Sequence, residues 1–262
     1  MPFDAQALRS RLNGKRIGGL LRYHETADST NRWAGELARE GAPEGTVVLA
    51  DRQTAGRGRL QRIWQSPPGC NLYLSLILRP EVDPSDLAQI TLLTGVAVAD
   101  AIAAVCPDGV GIKWPNDLLI RGRKVCGILT EVRTFAGRRV LIVGIGLNVN
   151  IRRNDFDPDH RDTATSLREE TGRDHSREEL VFLLCERFER WYETYLREGF
   201  SPIREEWLTR SGMAGEPVRI LFGKEILEGT MAGIDRDGAL LLSDERGEVR
   251  RILAGDATIL KR

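Results

Sequence analysis

The spacing of apolar and polar positions changes several times along the chain, and each change predicts an element. Residues 4–12 suit a short helix that Asp4 can cap and Gly14 can end. A strand follows around Leu20–His24. DSTNRWAGELAREG then reads as a helix entered through Asp28, Ser29 and Thr30, with Trp33, Ala34, Leu37 and Ala38 on one face and Gly41 as its stop. TVVLAD is a buried strand. In NLYLSLILR, Leu72, Leu74, Leu76 and Leu78 alternate with Tyr73, Ser75 and Ile77, which suits a strand covered on both faces.

Asp83 and Pro84 are expected to open a long apolar helix ending near Val105. GIKW with DLLI, then KVCGILTEV, then RVLIVGIGLNV are strand-like. Tight turns at WPND and RGRK predict that adjacent pieces pair antiparallel. Residues 152–175 are charged and irregular and read as a mobile surface connection. REELVFLLCERFERWYETYL carries Leu180, Leu184, Phe188, Trp191 and Tyr195 as an amphipathic stripe. After Gly212 the pattern shortens to EPVRILF, EILEGTMAGI, GALLLSD and EVRRILA, with turns at Asp237-Gly238 and Arg246-Gly247. The expected architecture is a mixed α/β (α+β) domain over 1–212 with antiparallel pairing, followed by a small C-terminal β-barrel over 213–262.

Composition narrows the function classes. The chain has 262 residues, 41% hydrophobic and 29% charged, enough for a core and an ordinary polar surface. Lys plus Arg equals Asp plus Glu at 38 each, whereas a protein that coats nucleic acid is usually basic overall. Cys70, Cys106, Cys126 and Cys185 form no CxxC pair, and His24, His160 and His175 are scattered. A disulfide framework or a protein-only metal site is therefore not expected, and free thiols fit a cytoplasmic location. The N-terminus lacks the apolar core of a signal peptide, and no run approaches the roughly 20 apolar residues of a membrane span.

Positive charge is instead concentrated in DRQTAGRGRLQRIWQSP, residues 51–67, which holds Arg52, Arg57, Arg59 and Arg62. Read alone, it is either a solvated loop paired to acids or an anion-binding loop. Gly56 and Gly58 allow close backbone approach, the arginines are forked donors, and Trp64 offers a flat face. It is neither a Walker loop nor a dinucleotide fingerprint. KWPND, residues 113–117, is a plain turn or, through Lys113, Asn116 and Asp117, a partner for phosphates and magnesium. Lys124 opens an apolar strand, as edge protection or as a ligand contact. Gly127, Gly144 and Gly146 sit in strands, where glycine often marks close approach, and Asn148 follows.

Taken together and in order, STN at 29–31, GRGRLQRIW, KWPND, RKVCGIL and GIGLNVN closely resemble the catalytic domain of biotin–protein ligases, also called biotin–[acetyl-CoA-carboxylase] ligases. The resemblance runs from about Tyr23 to Asn150 and weakly through the β tail. It implies a fold related to class II aminoacyl-tRNA synthetases and lipoate ligases. It also implies two reactions. Biotin attacks the α-phosphate of magnesium-ATP to give biotinyl-5′-adenylate, and one lysine of a biotin carboxyl carrier protein domain then takes the biotinyl group.

Roles follow by motif position. Ser29, Thr30, Asn31 and Gln53 match contacts near the biotin ureido ring. Arg57, Gly58 and Arg59 match the segment that grips biotin and the adenylate phosphate, Arg62 matches a phosphate contact, and Trp64 packs near adenine. Lys124 matches the lysine between carboxylate and reacting phosphate, making Arg59 and Lys124 the catalytic pair. Asn148 matches an adenine contact. Asn116 and Asp117 match positions near the phosphates and magnesium, and Gly127 and Gly144 flank the biotin tail. Ile63 and Cys126 depart from the pattern without removing a polar contact. Only about 20 residues precede the matching region, so a ligase-only type without an N-terminal DNA-binding module is expected, with no DNA or membrane partner. A homodimer is among the assemblies left open. Lipoate–protein ligase is the nearest rival. A non-catalytic biotin or nucleotide sensor is disfavoured by Lys124, Arg59 and Asp117, and an RNA-binding role by the zero net charge.

Overall fold

The computed structural model describes residues 3–80, 87–107, 109–222 and 225–260. The expected helix opening at Asp83 and Pro84 lies outside the described residues.

Strands β1 (Leu21–Ala27), β2 (Val47–Gln53), β3 (Leu72–Leu78), β4 (Val110–Lys113), β5 (Asp117–Ile120), β6 (Arg123–Phe135) and β7 (Arg138–Leu147) form one sheet, ordered β1-β2-β3-β7-β6-β5-β4. Every neighbouring pair is antiparallel except β1 with β2. Parallel neighbours need a crossover, and helix α2 (Thr30–Arg39) provides it. The short turns after β4, β5 and β6 produce the antiparallel hairpins that the sequence predicts.

The period of two in these strands assigns each face. On β7, Leu141, Val143, Ile145 and Leu147 enter the main core, beneath α3 (Leu87–Ala103) and α5 (Arg177–Glu198). The alternate residues Val140 and Ile142 join Val48, Ile77, Ala34 and Ala38 beneath α2. That second face continues as Gly144 and Gly146, which carry no side chain. All seven residues of β3 are buried, as its two-sided apolar pattern requires.

Helix α1 (Ala5–Leu12) is capped by Asp4 Oδ1, which accepts from the amides of Gln6 at 3.1 Å and Ala7 at 2.9 Å. In α5, Leu180, Leu184, Phe188 and Tyr195 are buried as expected. Trp191 is only partly buried; its Nε1 donates to Asp100 at 2.7 Å, and Tyr192 takes the core position instead. Helix α6 (Ser201–Arg210) has no counterpart among the expected elements. It carries Pro202 in its first turn and buries Ile203 and Trp207, four apart.

Residues 152–175 are not the free surface connection that their charge suggests. They include helix α4 (Leu167–Thr171), and Thr165 and Ser166 are fully buried. Glu170, whose side chain is 1% exposed, accepts from Thr165 Oγ1 at 2.6 Å and Arg123 Nη2 at 2.7 Å. Charge here ties the segment down, because neighbours of opposite sign lie on β6.

Strands β8 (Pro217–Phe222), β9 (Glu225–Ile234), β10 (Leu240–Ser243), β11 (Val249–Ile252) and β12 (Asp256–Ile259) form a five-stranded antiparallel sheet, ordered β11-β10-β9-β8-β12. β12 is the strand that sequence reading does not find. Trp114 Nε1 donates to Gly238 O at 3.2 Å, and Val218, Ile220, Met231 and Leu240 share one hydrophobic core with the first domain.

Candidate active site

The basic loop folds as a small hairpin. Trp64 N donates to Gly56 O at 3.0 Å and Gly58 N to Arg62 O at 2.8 Å, around a 3-10 turn at Arg59–Gln61. Leu60 and Gln61 have φ of 54° and 59°, a left-handed backbone costing about 1–3 kcal/mol per residue. The hairpin is fastened at its basic tip. Arg59 Nη1 donates to Asn116 Oδ1 at 3.1 Å, Gly255 O at 3.2 Å and Asp256 Oδ1 at 3.0 Å, and Arg62 meets Asp256 Oδ2 at 2.7 Å. Arg52 and Arg57 are exposed. The loop's mutual repulsion is therefore relieved in part by Asp256, on the last strand of the C-terminal sheet.

Behind the hairpin lies the bare part of the sheet. Gly127 of β6 and Gly146 of β7 are register partners, and the Trp64 indole lies over both. A Cβ on Gly146 would stand 2.5 Å from Trp64 Cε2, and one on Gly127 would stand 2.9 Å from Trp64 Cζ3. Only glycine permits that approach. Gly144 has another neighbour: its Cβ would fall 2.1 Å from Asn31 Oδ1. It thus seats the Asn31 amide.

Lys124 stands at the cationic end of this floor. Its Nζ is 2.6 Å from Asp117 Oδ1 and 5.4 Å from the Trp64 ring centroid. Its backbone is held on both sides, with Lys124 N donating to Thr163 O and Thr165 N to Lys124 O, each at 2.8 Å. Asn148 is anchored to the same segment, its Nδ2 donating to Thr165 O at 3.0 Å. Residues 163–165 therefore brace two of the expected ligand contacts. Neighbouring Cys126 is fully buried, and burial pushes its thiol far up, so it acts as a packing residue.

The opposite end is polar and, among the described residues, holds no cation against the ligand-facing amides. Thr30 N donates to Gln53 Oε1 at 2.9 Å, and Gln53 Nε2 donates to Ser66 Oγ at 3.0 Å. Ser75 Oγ is 2.9 Å from Thr30 Oγ1 and 2.7 Å from Asn31 Oδ1. Asn31 Nδ2 donates to Leu129 O at 3.1 Å and Glu131 Oε2 at 2.9 Å. Ser29 precedes α2 and is 4% exposed; its hydroxyl makes no capping bond. Thus this face of the sheet has polar amides at one end, a glycine floor under the Trp64 indole in the middle, and Lys124 with Arg59 at the other.

Residues 23–150 match the Biotin/lipoate A/B protein ligase family, and residues 214–259 match the Biotin protein ligase C terminal domain. The bifunctional ligase/repressor BirA of Bacillus subtilis is 41% identical over 252 residues, which are 95% of this chain and 77% of that protein. The biotin–[acetyl-CoA-carboxylase] ligase of Paracoccus denitrificans is 38% identical over 84% of this chain and 92% of its own. The chain belongs to the biotin protein ligase family. The Aquifex aeolicus biotin protein ligase, solved in complex with biotin and ATP, superposes with a TM-score of 0.81 at 32% identity, over 93% of this chain and 99% of that one.

The fold brings the motif residues of this ligase together from five separate stretches of sequence. Ser29, Thr30, Asn31 and Gln53 gather at the polar end; Arg59, Asn116, Asp117 and Lys124 gather at the charged end. Sequence reading missed Ser66, Ser75, Glu131, Thr165 and Asp256. Gly146 and Gly56 had a visible signal, a glycine where none is needed locally. No helix among the described residues is long and apolar enough to cross a membrane.

Proposed function

We propose that the cleft takes biotin with its ureido ring at Thr30 and Gln53, its tail along Gly127, and its carboxylate toward Lys124 and Arg59. The chain is a biotin–[acetyl-CoA-carboxylase] ligase. It activates biotin with ATP and transfers it to a lysine of a biotin carboxyl carrier protein domain. The observation that carries the reading is the polarity of this face: neutral hydrogen-bonding groups at one end, two cations at the other, and between them a side-chain-free floor that the Trp64 indole covers.

The chemistry follows from that polarity. A biotin carboxylate oxygen attacks the α-phosphorus of ATP, forming a P–O bond and breaking the bond to pyrophosphate. Both reactants are anionic, and the Lys124 ammonium and Arg59 guanidinium offset their repulsion as charge shifts to the leaving oxygen. In the second step the carrier's lysine amine attacks the carbonyl carbon of the mixed anhydride, AMP leaves, and the amine loses a proton. The Trp64 hairpin over the site would keep water from the adenylate. In this reading Arg62 takes the phosphates and Asn148 the adenine.

Magnesium enters as part of magnesium-ATP. Among the described residues no three His, Cys, Asp or Glu side chains converge, and the Asp117 carboxylate is paired with Lys124. One carboxylate plus the phosphates suits magnesium, which keeps several waters. The four cysteines are free thiols, in keeping with the cytoplasm. The test is ATP–pyrophosphate exchange with biotin or lipoate. Exchange that needs biotin is expected; exchange with lipoate alone would refute the proposal.

A further inference from the structure

We infer that Ser75, Asn31 and Glu131 are positioning residues that set the hydrogen-bond direction of Thr30, so that Thr30 meets the ligand only as an acceptor. The inference rests on the proposed biotin placement and adds three side chains to it.

The direction follows from counting protons. Asn31 Nδ2 lies within hydrogen-bond distance of a carbonyl, Leu129 O, and of a carboxylate, Glu131 Oε2. Neither can donate, so the two N–H groups must point there and Oδ1 must face the other way. Oδ1 then meets Ser75 Oγ at 2.7 Å. Ser75 is completely buried and has a single proton. Giving that proton to Thr30 would leave Asn31 Oδ1 unpaired in the interior, which is the costlier arrangement. Ser75 therefore donates to Asn31 and can only accept from Thr30, 2.9 Å away.

Thr30 in turn has one proton, and the two acceptors within its reach both belong to the protein: Ser75 Oγ at 2.9 Å and Gln53 Oε1 at 3.2 Å. That leaves lone pairs on Thr30 Oγ1 and one unused N–H on Gln53 Nε2, whose other N–H goes to Ser66. A cyclic urea carries N–H donors beside a carbonyl acceptor, and this pattern is its complement. Gly144 locks the relay, since any side chain there would displace the Asn31 amide. Glu131 thus orients the urea end of the site from the far side of Asn31, without facing the ligand.

The test uses the full chain in biotin-dependent pyrophosphate exchange. N31D keeps the acceptor toward Ser75 but turns two donors into acceptors against Leu129 O and Glu131. Its KM for biotin should rise about tenfold or more, with KM for ATP within about twofold. N31D/E131Q restores a donor opposite the new carboxylate and should bring KM for biotin back to within about threefold of wild type. S75A, which only removes a hydroxyl, should raise KM for biotin in the same selective way. If N31D and S75A fold, by circular dichroism, and keep the wild-type KM for biotin, the inference is wrong. It is equally wrong if both simply unfold, or if the second substitution gives no rescue, because the group then acts on stability alone. Absence of biotin-dependent exchange in the wild type would instead refute the biotin placement.

Discussion

Asp256 Oδ1 accepts a hydrogen bond from Arg59 Nη1 at 3.0 Å across 197 positions of sequence. The same carboxylate meets Arg62, so the last strand of the C-terminal sheet holds the tip of the basic hairpin. The Arg59 and Asp256 side chains are 24% and 21% exposed, and pairs of this kind contribute at most about 1 kcal/mol to stability. D256N should therefore lower Tm by only a few degrees. It should raise KM for ATP several-fold, since Arg59 loses its hold opposite the phosphates. A large fall in Tm with unchanged KM would make Asp256 a purely structural residue.

Lys124→Ala is expected to slow adenylate formation by about a hundredfold, the usual effect of losing one preorganised charge at a reacting phosphate. Lys124 is partly exposed, and its backbone bonds to Thr163 and Thr165 do not need its side chain, so the fold should survive. Single-turnover adenylate formation, with circular dichroism as control, is the measurement. A rate within about threefold of wild type would leave Lys124 as edge protection only.

Gly146→Ala tests the glycine floor. The added methyl would sit 2.5 Å from the Trp64 ring and must push the hairpin outward. Trp64 fluorescence, taken as the difference from the W64F spectrum, should shift to the red, and exchange activity should fall at least about tenfold. Thermal stability should change little, because the hairpin lies at the surface. An unchanged spectrum with full activity would show that the indole does not rest on β7.

Acid stability has a traceable contributor in Glu44. Burial alone would raise its pKa. Hydrogen bonds from Arg16, the Arg79 amide and Tyr192 outweigh that and hold its carboxyl below the ordinary range. A depressed carboxyl contributes stability that is present above its unfolded pKa, near 4.5, and is lost as pH falls through the folded value. E44Q should therefore be less stable than wild type at pH 7, and the gap should close as pH drops below about 4.5. Urea unfolding across that range measures it; a constant gap would contradict the linkage.

Much of the catalytic chemistry was legible before any coordinates. STN, GRGRLQRIW, KWPND, RKVCGIL and GIGLNVN are contiguous motifs, and a ligand contact made by backbone or by a motif side chain leaves its mark locally. The supporting residues left none. Ser75 reads as one polar position in a buried strand and Glu131 as an ordinary strand acid, and Asp256 lies past the last strand that the pattern predicts. Each acquires meaning only from a partner dozens to hundreds of positions away.

The sequence by itself determined most of the elements and their inward faces, α4, α6 and β12 excepted. The period of two in β3 and β7, the glycine and proline signals of the turns, and the capping aspartate of α1 act over a few residues. Backbone geometry reads them without knowledge of the rest. Tertiary structure alone decided which polar groups meet. It docked residues 163–167 beside Lys124 and Asn148 where charge suggested a loose connection, placed Asp256 on Arg59, and turned the basic stretch into a braced hairpin. The physical reason lies in the interactions themselves. An apolar face needs only burial, which periodicity announces, whereas a hydrogen-bonding or charged side chain accepts many partners, and only the assembled register and packing select one.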